Sequence, residues 1–206
     1  MTDTDRTPSQ ASLFDALPVS EPRGFRYQED FLSPAEEAGL IELAQALPLR
    51  EMRYKSYTAR RRVLSFGGQY DFDANRLRAA GDIIPALEPL RAKAAAWLGV
   101  APTAFTQILL AEYRPGTPLG WHRDVPDFED VVGVSLLSEA VLRFRPYRPG
   151  APASRRVIKL ALAPRSVYLL RGPARWDWQH SVAPTALLRY SITLRTAAGA
   201  GATRPA

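Results

Sequence analysis

The sequence predicts a single α+β domain in which two helices precede an all-β C-terminal half, folded as a sandwich or jelly roll. Three observations predict this class. Two segments with helical spacing lie before residue 100, and six short β-rich runs follow residue 103. A content of 46% hydrophobic and 23% charged residues over 206 residues fits one globular core. No internal repeat is visible, which argues against a solenoid or a propeller.

Both predicted helices carry end signals. The first should begin at Pro34, because Ser33 suits the N-cap and Glu36 completes a capping box with it. The second covers about 84–98, and Gly99 is placed as its C-terminal glycine.

The β-rich runs are short, and segments that contain Pro and Gly separate them. They cover Phe105–Tyr113, Val131–Leu137, Val141–Arg145, Val157–Leu162, Ser166–Leu170 and Leu188–Thr196. Residues 1–20 and 197–206 are polar or small and are predicted to be flexible tails. Between them we expect one domain, 21–196, with the helices in 21–103 and the β core in 104–196.

Composition limits the chemistry that the chain can carry. Without cysteine there is no disulfide framework, thiolate zinc cluster, iron–sulfur centre or cysteine nucleophile, so a metal must be held by histidine and carboxylate. A net charge of +6 is a modest bias toward polyanionic partners. No apolar run is long enough to span a membrane, and the N-terminus lacks the order of a signal peptide. A cytoplasmic protein without membrane association is therefore expected.

The two histidines of the chain define the candidate metal site. His122 and Asp124 are two residues apart, so on an extended segment both side chains project to the same side. His180 lies between two predicted strands. Two imidazoles and one carboxylate with open coordination positions are the set favoured by non-heme iron(II) oxygenases. Taken alone the His-x-Asp pair is a weak signal, because a single histidine is more often a core or surface residue than a ligand.

The residue pattern of the last predicted strand supports the interpretation of these residues as a metal site. Alternation puts Arg189, Ser191, Thr193 and Arg195 on one face of this strand. The two arginines suit bidentate recognition of a small dicarboxylate. The alternative is an exposed edge strand whose arginines serve solubility.

In combination these residues resemble the AlkB-type iron(II)- and 2-oxoglutarate-dependent dioxygenases. The family pattern of His-x-Asp, a second histidine and a strand Arg-x5-Arg falls on His122, Asp124, His180, Arg189 and Arg195. The resemblance covers most of residues 105–196, and more weakly it includes Arg61-Arg62-Val63 and Phe66-Gly67.

The resemblance implies a distorted double-stranded β-helix that uses Fe(II), 2-oxoglutarate and O2. Iron would be held by the two histidines and the aspartate. The distal carboxylate of 2-oxoglutarate would pair with Arg189, supported by Tyr113 and Ser191, and Arg195 would lie at the keto-acid side. The family often has Asn where this chain has Ala111, so a hydrogen bond to 2-oxoglutarate is missing or comes from another group such as Gln107.

The substrate is implied to be an alkylated or modified nucleobase, oxidised at a C–H bond with release of succinate and CO2. Residues 50–62 carry six cations and two tyrosines, and they are interpreted as a lid that follows phosphates and stacks bases. A solvated basic loop is the alternative. The residues proposed to contact substrate are Arg60, Arg61, Arg62, Phe66 and Tyr70.

One position argues against simple DNA repair. Repair members carry an acidic residue two places after the iron-binding aspartate, and this chain has Pro126 there, with Asp127 or Asp130 as substitutes. Two other segments, Phe128-Glu129-Asp130 and Arg61-Arg62-Val63 with Phe66-Gly67, resemble more closely the branch that hydroxylates wobble uridines of transfer RNA, or a branch proposed to act on proteins.

The expected partner is single-stranded DNA or RNA, including transfer RNA, and the chain is expected to be a monomer. Two alternatives stay open: the same chemistry on a protein side chain, and a nucleic-acid-binding jelly roll without turnover. The complete set of ligands and arginines argues against the second. A zinc hydrolase would leave the paired arginines without a role.

Overall fold

The computed structural model of the protein describes residues 21–54, 57–71 and 76–199. The predicted tails lie outside these residues, except for residues 197–199, of which Ala197 ends the last strand. The elements are β1 (Phe25–Gln28), α1 (Pro34–Ala46), β2 (Arg50–Tyr54), β3 (Tyr57–Phe66), β4 (Gly68–Asp71), β5 (Arg76–Ala79), α2 (Glu88–Leu98), β6 (Phe105–Tyr113), β7 (Leu119–His122), β8 (Phe128–Leu136), β9 (Ala140–Pro146), β10 (Ile158–Leu162), β11 (Val167–Leu170), α3 (Pro173–Trp176), β12 (Trp178–Val182) and β13 (Arg189–Ala197).

The strands form two main sheets. The major sheet has seven strands in the order β1-β11-β8-β13-β6-β3-β2, and the minor sheet has four in the order β10-β9-β12-β7. All paired strands run antiparallel, and β4 and β5 form a separate hairpin. A core cluster of Val131, Leu170, Leu142, Phe144 and Val182 joins the two sheets. This is the predicted double-stranded β-helix, or jelly roll.

Alternation along β13 separates the core from the cavity between the sheets. Tyr190, Ile192 and Leu194 belong to a second core cluster on the outer face of the major sheet, where α1 and α2 pack. The alternate residues from Arg189 to Arg195 line the cavity. The predicted two-faced strand is therefore correct, and β13 is a central strand with neighbours on both sides, so the alternative of an edge strand is wrong.

The predicted start of α1 and the predicted end of α2 are confirmed. Glu36 N donates to Ser33 Oγ at 3.2 Å and Ser33 N donates to Glu36 Oε2 at 2.7 Å, which completes the capping box. Helix α2 is shorter than predicted, because a 3-10 turn occupies Pro85–Leu87 before it. Gly99 ends α2 with a φ of 78°, a conformation that favours glycine.

The description of the first half as helical is incomplete, because β1, β2 and β3 extend the major sheet. The segment interpreted as a basic lid contains β2 and most of β3, and β3 pairs with β6 from Arg62↔Glu112 to Phe66↔Ile108. Because this segment is rich in arginine, its sequence does not show the alternation of apolar and polar residues that predicts a strand. Arginine can nevertheless occupy strand positions, since its apolar stem covers the surface of the sheet. None of the helices in the described part of the chain has both the length and the apolar character needed to span a bilayer.

Candidate active site

Three side chains with ligand atoms for a metal ion meet beside β7 and β12. His122 ends β7, and Asp124 follows it by two residues. His180 lies in the middle of β12, directly opposite His122 in the register of the two strands. Their ring centroids are 4.2 Å apart, and one ligand atom from each of the three residues lies within 4.8 Å of the others. The structure thus brings together the three residues predicted to hold iron.

Hydrogen bonds orient these groups. Nδ1 of His122 lies 2.9 Å from the carbonyl oxygen of Gly120, which leaves Nε2 for a metal ion. Arg195 donates from Nε to Oδ1 of Asp124 at 2.8 Å, and its Nη2 lies 2.7 Å from the same oxygen in an ion pair. Oδ2 of Asp124 lies 3.4 Å from Nε2 of His180. This oxygen is buried and receives no hydrogen bond from the residues that the structure describes.

The electrostatics of the cluster keep both histidines neutral and the aspartate charged. Burial, with a smaller contribution from the neighbouring His122, lowers the pKa of His180 to about 3. Burial also lowers the pKa of His122. For Asp124 burial opposes ionisation, but the surrounding positive charges, of which Arg195 is the largest contributor and Arg175 another, together outweigh it and hold the pKa below its usual range. Neutral imidazole and ionised carboxylate are the forms that bind metal ions.

The donor set fits ferrous iron. Two imidazole nitrogens and one carboxylate oxygen approach from one side, and the cavity lies on the other. This is the geometry of a facial triad with open coordination positions. A buried carboxylate oxygen without a donor is costly unless a cation binds it, so the residues present fit Fe(II).

Arg189 lies at the opposite end of the same strand face from Arg195. It is 1% exposed, donates from Nε to Ser135 Oγ at 3.1 Å, and has its guanidinium 5.0 Å from the ring centroid of Tyr113. Its Nη1 is buried and has no hydrogen-bond partner in the described part of the chain. A buried cation with a donor to spare is suited to the distal carboxylate of 2-oxoglutarate.

Tyr113 and Ser191 lie beside Arg189, as predicted for this pocket. Burial raises the pKa of Tyr113, but the positive charges of Arg61 and Arg189 bring it below its ordinary value, helped by hydrogen bonds with Arg61 and Ser191. Ser191 pairs with Ala111 across β13 and β6. The tyrosine hydroxyl is therefore held among cations, where an anionic ligand is favoured.

Gln107 is not free to replace the asparagine that the family often has at the position of Ala111. Gln107 accepts from Arg195 Nη1 at 2.9 Å and donates to Gly68 O at 2.8 Å, so its amide supports the guanidinium that binds Asp124. Ala111 itself lines the cavity. Arg195 is consequently a link between the metal ligand and β6.

The five proposed substrate contacts fall into different environments. Arg60 is exposed. Arg61 is 8% exposed and lies in the pocket beside Tyr113, so its charge acts at the cosubstrate end. Tyr70 is partly buried in the cavity wall, where burial raises its pKa.

Two of the five do not face the cavity. Arg62 lies on the outer face of β3, where its Nε and Nη2 pair with Glu112 at 2.8 and 2.5 Å. Phe66 is 6% exposed and belongs to the core under the helices. Both predictions fail for the same reason: β3 is a strand, and alternation turns these positions away from the cavity.

The acidic positions near Asp124 also have separate roles. Asp130 is bound by Arg171 at 2.8 and 2.7 Å and is not available to substrate. Asp127 lies near enough to Tyr70 to raise its pKa, after the larger effect of burial.

Sequence reasoning missed several residues of the site. Arg175 is 1% exposed and donates from Nη2 to the carbonyl oxygens of Val125 and Phe128, at 2.7 and 3.0 Å, so it holds the loop that follows Asp124. Trp121 is also among the residues that line the cavity. No sequence signal singles out Arg175, but Trp121 directly precedes a metal ligand.

The whole cavity between the sheets has a volume of about 1110 Å³. The two histidines line it from the minor sheet and Arg189 lines it from the major sheet, where Tyr168 contributes a phenol whose pKa burial raises to about 12. Exposed Arg50 and Arg78 also line the cavity and so mark its mouth. The space is large enough for a cosubstrate and part of a second molecule.

Comparison with known proteins agrees with this site. The model of the 2OG-Fe(II) oxygenase superfamily matches residues 24–195. The mitochondrial alpha-ketoglutarate-dependent dioxygenase alkB homolog 7 of Bos taurus is 31% identical over 156 residues, which are 74% of this chain and 64% of that protein. The alkylated DNA repair protein ALKBH8 homolog of Arabidopsis thaliana is 26% identical over 202 residues, 85% of this chain and 57% of that one. The chain thus spans less than two thirds of the length of these curated relatives.

Solved structures share the fold. The structure of OsALKBH1 superposes with a TM-score of 0.63 at 16% identity, covering 86% of this chain and 99% of that one. A prolyl hydroxylase of Trichoplax adhaerens, solved with a hypoxia inducible factor peptide, superposes with a TM-score of 0.60 at 17% identity over 84% and 83% of the chains. With its family match, its fold and its His-Asp-His cluster, this chain belongs to the 2OG-Fe(II) oxygenase superfamily and is of the AlkB type.

Proposed function

We propose that this chain oxidises a C–H bond on an alkylated or modified nucleobase in single-stranded DNA or RNA, including transfer RNA. When bound, Fe(II) and 2-oxoglutarate supply the oxidising chemistry, in which O2 is consumed, 2-oxoglutarate becomes succinate and CO2, and a hydroxyl group enters the substrate. Hydroxylation of an N-methyl group yields formaldehyde and the demethylated base, whereas a hydroxyl on a carbon substituent stays.

The protein residues bind and orient the reactants. His122, Asp124 and His180 would hold the metal, and Arg195 fixes the carboxylate of Asp124 through a hydrogen bond and an ion pair. Arg189 offers its buried guanidinium to the far carboxylate of 2-oxoglutarate. Because the strand that carries both arginines is central in the major sheet, the two ends of the cosubstrate are positioned by one rigid element.

The composition of the cavity mouth is the observation that carries the nucleic-acid proposal. Exposed Arg50 and Arg78 line the cavity, and partly buried Tyr70 adds an aromatic ring. Cations for phosphates together with aromatic rings for bases are the features of single-strand binding sites. A target base has to leave its stack to reach the metal. Among the described residues at the mouth of the cavity, Glu51 is acidic.

The relatives offer further support for this substrate class. One is named as a DNA repair protein, and another, from Xenopus tropicalis, is named as a transfer RNA carboxymethyluridine methyltransferase and is 25% identical over 175 residues. A cytoplasmic location and a monomeric state stay predictions, and alkB homolog 7 is named as mitochondrial.

The test is succinate release by anaerobically iron-loaded protein given 2-oxoglutarate and air. Methylated single-stranded DNA, methylated RNA, transfer RNA and peptide are compared, with Asp124→Ala as the control. The proposal expects release that depends on Asp124 and rises with a nucleic acid. Release that rises only with peptide would move the substrate to proteins, and no release at all would indicate a binding module without turnover.

A further inference from the structure

The outer face of the minor sheet carries a group of cations that the active site does not use. Strand β9 turns Leu142 and Phe144 into the core, so Arg143 and Arg145 project to the opposite face. Strand β10 adds Lys159, which is exposed and directly opposite Arg143 in register. We call Arg143, Arg145, Lys159 and the adjoining Trp121 the cationic face.

The two arginines are held in fixed positions by uncharged partners. Arg143 Nε donates to Ser181 Oγ at 2.9 Å, and Arg145 Nε donates to Gln179 Oε1 at 2.7 Å. Their guanidinium carbons lie 5.2 and 4.5 Å from the ring centroid of Trp121. Stacking and hydrogen bonding through Nε leave the terminal Nη groups as donors for a ligand and reduce the entropy lost on binding.

No carboxylate neutralises these cations in the part of the chain that the structure describes. By contrast, two arginines of the major-sheet side are paired with acids, Arg62 with Glu112 and Arg171 with Asp130. Lys159 and Arg143 are moreover like charges placed opposite each other on adjacent strands, an arrangement that destabilises a sheet. A bound polyanion would remove this repulsion.

The surface continues into the active-site cavity. Trp121 carries the two guanidinium groups and also belongs to the cavity wall, one residue before the ligand His122. Arg123 extends the surface on the other side of His122, where its guanidinium lies 3.8 Å from the ring centroid of Tyr147. Trp121 therefore lies at the junction of the cationic face and the cavity.

We propose that the cationic face binds the phosphate backbone of a single-stranded nucleic acid and guides the target base into the cavity. The inference rests on the proposed function and names the surface that it requires outside the cavity. Several fixed cations combined with an aromatic ring match the repeated phosphates and bases of a single strand.

The experiment measures binding of a fluorescent single-stranded RNA of about 12 nucleotides to the full chain at increasing salt. The test variant is Arg143→Gln/Arg145→Gln. The matched control is Arg26→Gln, which also removes an arginine from a tryptophan ring, since Arg26 lies 4.3 Å from the ring centroid of Trp97. Arg143→Lys/Arg145→Lys retains both charges and serves as the conservative variant.

The proposal expects the Gln variant to bind about 10-fold or more weakly at low salt, with a salt slope reduced by about 1.4, or 0.7 for each lost phosphate contact. Arg26→Gln should bind as the wild type does, and the Lys variant should keep most of the salt slope. Equal affinity and equal salt slope for the Gln variant and the wild type would contradict the proposal that the cationic face binds nucleic acid. Preference of the wild type for anionic vesicles over RNA would also overturn it.

Succinate release measured beside binding separates this inference from the proposed function. If RNA stimulates release while the Gln variant binds RNA normally, the function stands and the surface is wrong. If the Gln variant loses binding but no nucleic acid stimulates release by the wild type, the surface stands and the substrate class is wrong.

Discussion

Arg195 contacts a single oxygen of Asp124, Oδ1, with two nitrogens: Nε donates a hydrogen bond to it at 2.8 Å, and Nη2 lies 2.7 Å from it in an ion pair. The second oxygen, Oδ2, is thereby turned toward His180, whose Nε2 lies 3.4 Å away. The guanidinium is in turn held by Gln107. Arg195 is accordingly a positioning residue for the metal ligand, in addition to the cosubstrate role expected for it.

Replacing Arg195 by Gln should weaken metal binding about 10- to 100-fold, the usual effect of losing a group that orients a metal ligand. Cobalt(II) titration followed by absorbance measures this without turnover. Arg62→Gln is the matched control, because Arg62 also pairs with a carboxylate but lies on the outer face of the sheet. An unchanged cobalt affinity would remove the positioning role.

Replacing Arg189 by Met should separate stability from cosubstrate binding. The buried guanidinium has an Nη1 without a partner in the described chain, so its removal should leave the ligand-free protein as stable or more stable. The loss of its charged hydrogen bonds should weaken 2-oxoglutarate binding about 10- to 100-fold, from about 1.5–3 kcal/mol.

Thermal unfolding with and without 2-oxoglutarate and a non-oxidisable divalent metal measures both effects. The wild type should gain melting temperature with 2-oxoglutarate, and Arg189→Met should gain none at the same concentration. An equal gain would show that the distal carboxylate binds elsewhere.

A methyl group at Gly133 should disturb the cavity wall. A Cβ there would lie 2.2 Å from Cζ and 2.4 Å from Oη of Tyr168, on the neighbouring strand β11. We expect Gly133→Ala to cost about 1–3 kcal/mol of unfolding free energy, measured by urea denaturation. Adding Tyr168→Val should recover most of this loss, and the strain assignment fails if it recovers none.

Gly39 provides the control for this substitution. It lies within α1, and a Cβ there would meet nothing within 4 Å. Gly39→Ala should therefore stabilise the protein by about 0.5–1 kcal/mol.

Glu112 should support stability in a pH-dependent way. Hydrogen bonds from Arg62 lower its pKa, against the smaller opposing effect of burial. Because the folded pKa lies below the unfolded value of about 4.3, the stabilisation is present above that value and is lost as the pH falls through the folded pKa. Glu112→Gln should cost on the order of 1–3 kcal/mol at pH 7.

Urea denaturation at pH 7 and at pH 3 tests the sign. The difference between the wild type and Glu112→Gln should shrink at the lower pH. Glu139→Gln, at an exposed position, should show no difference at either pH. A gap for Glu112 that is the same at both pH values would contradict the ion-pair account.

The strongly patterned elements were predictable from sequence. β6 coincides with the predicted run Phe105–Tyr113, and α1 begins at the residue that its capping box indicates. β7 and β12, which carry both histidines, were not predicted as strands. They are four and five residues long and pair across a register shift, so their place in the sheet is decided by tertiary contacts that no local pattern records.

The metal ligands followed from residue chemistry, because a chain with two histidines and no cysteine offers few metal sites. The side chains that surround the metal ligands could not be predicted in this way. The role of Arg61 beside Tyr113 depends on β3 pairing with β6, and the ion pair between Arg195 and Asp124 joins β13 to a loop 71 residues earlier. Pairings between distant segments are not visible in a single sequence.

The place of β13 in the major sheet has a consequence for biosynthesis. This strand lies between β8 and β6, which are not neighbours without it. The ribosome releases the chain from its N-terminus, so β6 and β8 emerge before residues 189–197. Until β13 is added, the edge of each strand that faces it has no hydrogen-bonding partner. The cavity acquires both arginines in that same late event, so partly synthesised chains have neither a closed sheet nor a complete active site, and this interval is when the nascent protein is most exposed to aggregation.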